Sequence, residues 1–131
     1  MFQLNLKDKV ILITGGSDGL GFASAKLLSA EGAKIVICGR RSDYLKEKAN
    51  IIKEKTNNEV LDIKCDVTNP DECKLLVERT ISEFKNIDVL VNNAGTSAAS
   101  SFEEISDKAW EHDINLKLMA AIRMCRLVVP H

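Results

Sequence analysis

Between Thr14 and Gly21 the chain reads Thr14-Gly15-Gly16-Ser17-Asp18-Gly19-Leu20-Gly21. The segment follows the β-branched run Val10-Ile11-Leu12-Ile13 and opens a stretch with helical periodicity. A turn of this kind can hold a phosphate, because the free N–H groups and the positive dipole end of the helix face the anion. Gly15 can make the tight turn without a Cβ clash. Gly19 lets backbone approach a pyrophosphate closely, and Gly21 lets the helix pack near the strand. Many glycine-rich loops are only tight turns; the strand-turn-helix setting is what favours a dinucleotide.

Three further places carry polar residues that a packed core would not choose. Asp66 is short and polar at the carboxyl end of a strand, so it can accept from an adenine amino group; its plainer role is negative charge ahead of a helix. Asn92 and Asn93 are costly beside a buried strand unless hydrogen-bonded, and their plainer role is turn formation. Asn115 falls in mid-helix although Asn is a poor helix former, which reads as a tolerated surface residue or a functional one.

Short apolar runs alternate with helix-period segments and position these residues. Val10–Ile13, Lys34–Cys38, Glu59–Lys64 and Ile87–Val91 read as strands. Helices are predicted from about Leu20 to Glu31, ended by Gly32, and from Ser42 to about Lys55, with Leu45, Ala49 and Ile52 on one face. A third starts at Asn69-Pro70, with Glu72 three residues after the cap, and carries Cys73, Leu76, Val77, Ile81 and Phe84. A long helix runs from about Asp107 to Val129 and ends at Pro130. The alternation β-α-β-α-β-α-β-α implies one domain over residues 1–131, an α/β fold of the Rossmann type, with a doubly wound parallel sheet truncated after the fourth strand and the long helix.

The spacing Thr-Gly-x-x-x-Gly-x-Gly resembles that of the short-chain dehydrogenase/reductase family. Asp66-Val67 after strand three, Asn92-Asn93-Ala94-Gly95 after strand four, and Trp110, Asp113 and Asn115 in the long helix match further family motifs in the family's order. The resemblance spans Thr14 to Asn115. It implies cofactor contacts at Gly15, Ser17, Asp18, Gly19, Leu20, Gly21, Asp66, Val67, Asn93, Ala94 and Gly95. It leaves Asn92 mainly structural and makes Asn115 a catalytic-site residue that holds water. It implies hydride transfer to or from a carbonyl or alcohol with a nicotinamide dinucleotide.

A free ribose 2′-hydroxyl wants Asp or Glu at the end of strand two, whereas a 2′-phosphate wants Arg. The run is Cys38-Gly39-Arg40-Arg41, with Gly39 where the family's NAD-selecting acid would stand. Arg40 can offer a planar fork to phosphate, so NADP(H) is favoured over NAD(H). Asp18 works against this, since a carboxylate repels a 2′-phosphate. The plainer role of Arg40 and Arg41 is a solvated pair before a helix.

The family's reduction chemistry also uses a Ser and a Tyr-x-x-x-Lys, all beyond the long helix. Tyr44-Leu45-Lys46-Glu47-Lys48 spells Y-x-x-x-K, but it lies in the helix after strand two, beside the adenosine end. Ser97, Ser100 and Ser101 have no base partner, and His112 reads as polar helix surface. The chain is therefore expected to be the cofactor half of a family enzyme. The alternative is a dinucleotide-binding module, or a split or truncated subunit, without catalysis of its own. Of the substrate loops only Thr96 to Phe102 would border the site, and their residues do not specify the substrate.

Composition excludes other classes. Lys+Arg total 18 against 19 Asp+Glu, so the net charge of −1 supplies no positive field for nucleic acid or an acidic membrane. No apolar run approaches a membrane span, and Met1 to Lys9 is too short and polar for a signal peptide. Cys38, Cys65, Cys73 and Cys125 show no metal-ligand spacing; four separate buried thiols in a reducing cytoplasm are expected. An apolar fourth-strand edge, together with Trp110, Ile114, Leu118, Ala121, Ile122 and Cys125 along the long helix, predicts a homodimer or higher oligomer.

Overall fold

A computed structural model describes residues 3–97 and 99–131; Met1, Phe2 and Ala98 lie outside the described residues, and with them parts of the amino-terminal stretch and of the 96–102 loop. Four strands, β1 (Val10–Thr14), β2 (Lys34–Gly39), β3 (Val60–Lys64) and β4 (Val89–Val91), form one parallel sheet in the order β3-β2-β1-β4. Helices α1 (Gly19–Ala30), α2 (Ser42–Thr56) and α3 (Pro70–Phe84) make the crossovers. After β4 come a 3-10 turn (Phe102–Glu104), α4 (Asp107–Ile114), a π-helical turn (Asn115–Met119) and α5 (Ala120–Val128).

The period of two along the strands divides the core. Val10 and Leu12 of β1, with Val36 and Cys38 of β2 and Ile63 of β3, pack against Cys73, Leu76 and Val77 of α3 and Ala120, Met124 and Val128 of α5. Ile11 and Ile13, with Ile35 and Ile37, face Ala25 of α1 and Leu45, Ala49 and Ile52 of α2. Both faces are covered, which is why β1 and β2 read as unbroken apolar runs rather than alternating ones.

β4 is shorter than the run Ile87–Val91 predicted. The Asp88 carboxylate, not a backbone carbonyl, accepts the Val10 N–H at 2.8 Å, while the Asp88 N–H donates to the Val10 carbonyl at 2.9 Å. The ladder with β1 therefore begins at Val89. Among the described strands, β4 pairs only with β1, so its outer side is an edge.

Three local expectations change. Asn69 caps α3 by accepting the N–H groups of Asp71 and Glu72. Glu72, however, does not close a capping box; its carboxylate accepts the Asp66 N–H at 2.6 Å, one loop earlier. The predicted long helix is interrupted by the π turn, where the Ala120 N–H bonds the Asn115 carbonyl. The helix then presents two apolar stripes. Ala120, Met124 and Val128 enter the core, while Trp110, Ile114, Leu118 and Ile122 remain exposed. Cys38, Cys65 and Cys73 are buried, but Cys125 is exposed, against the expectation of four buried thiols.

Candidate functional site

The carboxyl ends of the strands open into a cleft lined by the turns that follow β1, β2, β3 and β4. Gly15, Ser17 and Asp18 come from the first turn, Arg40 and Arg41 from the second, Asp66 to Thr68 from the third and Ala94 to Thr96 from the fourth. His112 and Leu116 close it from the far helix. A crevice outside the carboxyl ends, where the strand order reverses around β1, is the ligand position of open α/β sheets.

Thr14 holds the first and fourth turns together. Its buried hydroxyl accepts the N–H groups of Asn93 and Ala94, each at 3.0 Å. The Asn93 amide donates in return to the carbonyls of Thr14 and Gly15, each at 3.0 Å. Asn93 is therefore the structural brace. Asn92, the one expected to be structural, is exposed, and among the described residues its side chain makes only a 3.5 Å contact to the Cys125 sulfur.

The glycines have different reasons. Gly15 adopts φ +65°, and a side chain there would also meet the Ala94 backbone. At Gly21 a Cβ would collide with the Asn93 amide and the Gly15 carbonyl, so its close approach is to the fourth turn rather than to a strand. Gly16 faces Ile37 equally tightly and was not singled out by the spacing. Gly19 also has φ +52°, but among the described residues a side chain there would meet nothing within 4 Å beyond its own helix, which leaves its outer side open. The α1 N-terminus has no side-chain cap. Leu20 is 82% exposed and does not line the cleft, so any contact from it is through its backbone.

Asp18 and Arg41 meet across the mouth of the cleft, Arg41 Nη2 to Asp18 Oδ2 at 2.7 Å. The Tyr44 hydroxyl donates to the other Asp18 oxygen at 2.5 Å, and the Arg41 guanidinium lies 4.1 Å from the Tyr44 ring centroid. The Tyr44 hydroxyl foremost, with Arg41, holds the Asp18 carboxyl below the usual carboxylate range, against a desolvation that acts the other way. Arg40 lines the cleft and makes no hydrogen bond or ion pair among the described residues.

In the third turn Asp66 Oδ1 accepts the Thr68 N–H at 2.9 Å and the Thr68 hydroxyl at 2.7 Å. Burial acts to raise the Asp66 carboxyl, but the two Thr68 bonds, with Arg40 and His112 nearby, bring it below the usual range. Val67 is buried and offers its carbonyl to Arg123 Nη1 at 2.9 Å. His112 is exposed on the surface of α4, as expected, and also lines the cleft.

Asn115 opens the π turn. Its amide donates to the Thr68 carbonyl at 3.3 Å and accepts from Arg123 Nη2 at 3.2 Å. The side chain thus tethers the π turn to the Asp66 loop. Lys117, two residues on, reaches the end of β4. It lines a small recess with Thr14, Asn92 and Ala94 and pairs with Asp113 at 2.9 Å. Helical periodicity could not distinguish these two residues, because the π turn changes the register after Ile114.

The model of the family described as short chain dehydrogenase matches residues 9–131. The chain belongs to the short-chain dehydrogenase family. An uncharacterised oxidoreductase of Staphylococcus saprophyticus is 38% identical over 128 residues, covering 97% of this chain and 50% of that protein. The 11-beta-hydroxysteroid dehydrogenase 1A of Arabidopsis thaliana is 41% identical over 107 residues, 82% of this chain and 31% of that protein. L-Sorbose reductase from Gluconobacter frateurii, solved with NADPH and L-sorbose, superposes with a TM-score of 0.96 at 40% identity, covering 98% of this chain and 49% of that one. An NADH-dependent reductase responsible for alginate metabolism superposes at 0.89 with 31% identity, covering 99% of this chain and 53% of that one. The chain thus spans about half the length of these two oxidoreductase structures and of the staphylococcal relative. The first of these structures holds NADPH and the second is of an NADH-dependent enzyme.

Proposed function

We propose that the cleft binds a nicotinamide dinucleotide, NADP(H) in preference to NAD(H), for an oxidoreductase that exchanges hydride with a small carbonyl or alcohol. One observation carries the preference: Arg40 stands in the cleft at the end of β2 with its guanidinium free among the described residues, while Arg41 is paired with Asp18. The carboxylate that the sequence sets against a 2′-phosphate is thereby matched by a cation of its own, and Arg40 is left to receive the phosphate.

The other roles follow the geometry. The uncapped N–H groups at the start of α1, reached past Gly15, Ser17 and Gly19, face the pyrophosphate. Asp66 Oδ2 and the Val67 backbone flank the adenine. Asn93, Ala94 and Gly95 line the path towards the nicotinamide, which supplies or takes the hydride when bound. Asn115 holds the π turn to the adenine loop and, as the family resemblance implies, serves as a catalytic-site residue that holds water. The family's Ser and Tyr-x-x-x-Lys follow the long helix, so these residues furnish the dinucleotide side of the reaction.

The chemistry is placed in the cytoplasm, in keeping with the exposed free thiol of Cys125. Among the described residues no helix is long and apolar enough to cross a membrane. The exposed stripe Trp110, Ile114, Leu118 and Ile122, or the β4 edge, is proposed to join copies of the chain, and light scattering that shows only monomer at high concentration overturns that assembly.

Titration of NADPH and NADH, followed by fluorescence, tests the cofactor assignment. Arg40→Ala is expected to weaken NADPH about tenfold more than NADH, the scale of one charge-assisted contact. Absent binding overturns the dinucleotide reading; equal weakening of both cofactors overturns the preference.

A further inference from the structure

Tyr44 and Lys48 form a Y-x-x-x-K pair far from the nicotinamide end, and the cofactor assignment leaves them without a role. They lie on one face of α2, where the Lys48 ammonium is 5.0 Å from the Tyr44 ring centroid. The Tyr44 hydroxyl leaves its own helix to donate to Asp18. Asp18 is the residue before α1, in the N-cap position, yet its side chain does not cap that helix. One carboxylate oxygen takes Tyr44 and the other takes Arg41.

This arrangement contributes little to stability, since the side chains of Asp18 and Arg41 are 58% and 65% exposed. It does decide what Asp18 can offer to a ligand. A carboxylate beside the ribose favours a free 2′-hydroxyl, which donates to it, and repels a 2′-phosphate. With each oxygen already accepting a bond and Arg41 and Lys48 beside it, Asp18 offers less to a free 2′-hydroxyl and repels a 2′-phosphate less. The Tyr44 ring under Arg41 also fixes the guanidinium next to Arg40, so two forks border the same end of the cleft.

We propose that Tyr44 is a positioning residue for cofactor choice: by bonding Asp18 it keeps that carboxylate turned onto Arg41, so the cleft accepts a ribose 2′-phosphate and gains less from a free 2′-hydroxyl. The proposal rests on the dinucleotide reading above. It adds that selectivity depends on a residue that need not touch the cofactor.

The test measures dissociation constants for NADPH and NADH, at one ionic strength, with the full chain, Tyr44→Phe, Asp18→Asn and the double variant. Tyr44→Phe keeps the ring under Arg41 and removes only the hydroxyl. It is expected to lower the NADPH-over-NADH preference about five- to tenfold, through weaker NADPH and tighter NADH, the effect of one lost bond to a charged group. Asp18→Asn in the Tyr44→Phe chain is expected to restore the preference, because no carboxylate remains to be released. Equal loss of both cofactors in Tyr44→Phe, no change of preference, or failure of Asp18→Asn to rescue it overturns the inference while leaving the cofactor assignment standing. A wild-type chain that binds neither dinucleotide overturns the assignment and the inference together.

Discussion

Thr14 and Asn93 hold each other at both ends of the peptide: the Asn93 N–H donates to the Thr14 hydroxyl, and the Asn93 amide donates to the Thr14 carbonyl, both at 3.0 Å. The residues lie 79 apart in the chain, and the pair joins the turn after β1 to the turn after β4. Thr14→Val keeps the shape and removes the acceptor, leaving the Ala94 N–H without its bond and the Asn93 N–H with the Val91 carbonyl in place of two acceptors. A loss of about 1–3 kcal/mol is expected by chemical denaturation, and Thr14→Ser should keep most of the stability. A Val variant as stable as wild type contradicts the bracing role.

Gly21 and Gly19 should separate packing from ligand access. Gly21→Ala puts a methyl into the Asn93 amide and the Gly15 carbonyl, so a stability loss of roughly 2 kcal/mol or more is expected. Gly19→Ala meets no atom within 4 Å beyond its own helix among the described residues. It should cost only about 1 kcal/mol for its positive φ while weakening dinucleotide binding at the α1 N-terminus. Paired denaturation and cofactor titration distinguish the two, and equal effects of both variants on both readouts would sink the distinction.

Stability should fall in acid partly through Asp88. The Val10 N–H foremost, with Asn86 and Lys9, holds its folded carboxyl below the usual value. A carboxyl depressed in the folded state adds stability above the unfolded pKa, near ~3.9 for Asp, and that contribution disappears as pH falls through the folded value. Asp88→Asn keeps an oxygen for Val10 and cannot titrate. Urea midpoints between neutral pH and about pH 3 are expected to fall less steeply for Asp88→Asn, and identical acid slopes argue against this contribution.

The thiols should differ in reactivity by burial. The neighbouring Cys38 thiol and burial push Cys65 up to about 12, and contact with Cys65 pushes Cys73 up as well. These thiols are protonated and covered, whereas Cys125 is exposed. A thiol reagent at neutral pH is expected to label Cys125 quickly and the other three only on unfolding. Fast native labelling of Cys65 would mean that the cleft opens to the core.

Much of the fold is legible along the chain. Val10–Ile13 and Lys34–Cys38 are continuous apolar runs because both sides of β1 and β2 are covered, and Asn69-Pro70 marks the start of α3 where the structure has it. The parallel sheet that the alternation of strands and helices implies is present, in the order β3-β2-β1-β4. The interruption at Asn115 is not legible, since a π turn leaves no mark in composition. Nor is the truncated β4, because the carboxylate of Asp88 replaces a ladder bond that the apolar run Ile87–Val91 seemed to promise.

The sequence by itself determined the alternation of strands and helices, the glycine turn at the head of α1 and the cleft that such a turn implies. These depend on local periodicity and on residues near in sequence. Only the tertiary structure decided that Asn93 rather than Asn92 is the brace, that the Asn115 side chain bonds the Asp66 loop, and that Arg41 is paired while Arg40 makes no ion pair among the described residues. Those outcomes are hydrogen bonds between residues 79, 47 and 23 apart. A hydrogen bond forms or fails within a few tenths of an ångström, and such distances are set by how whole elements pack.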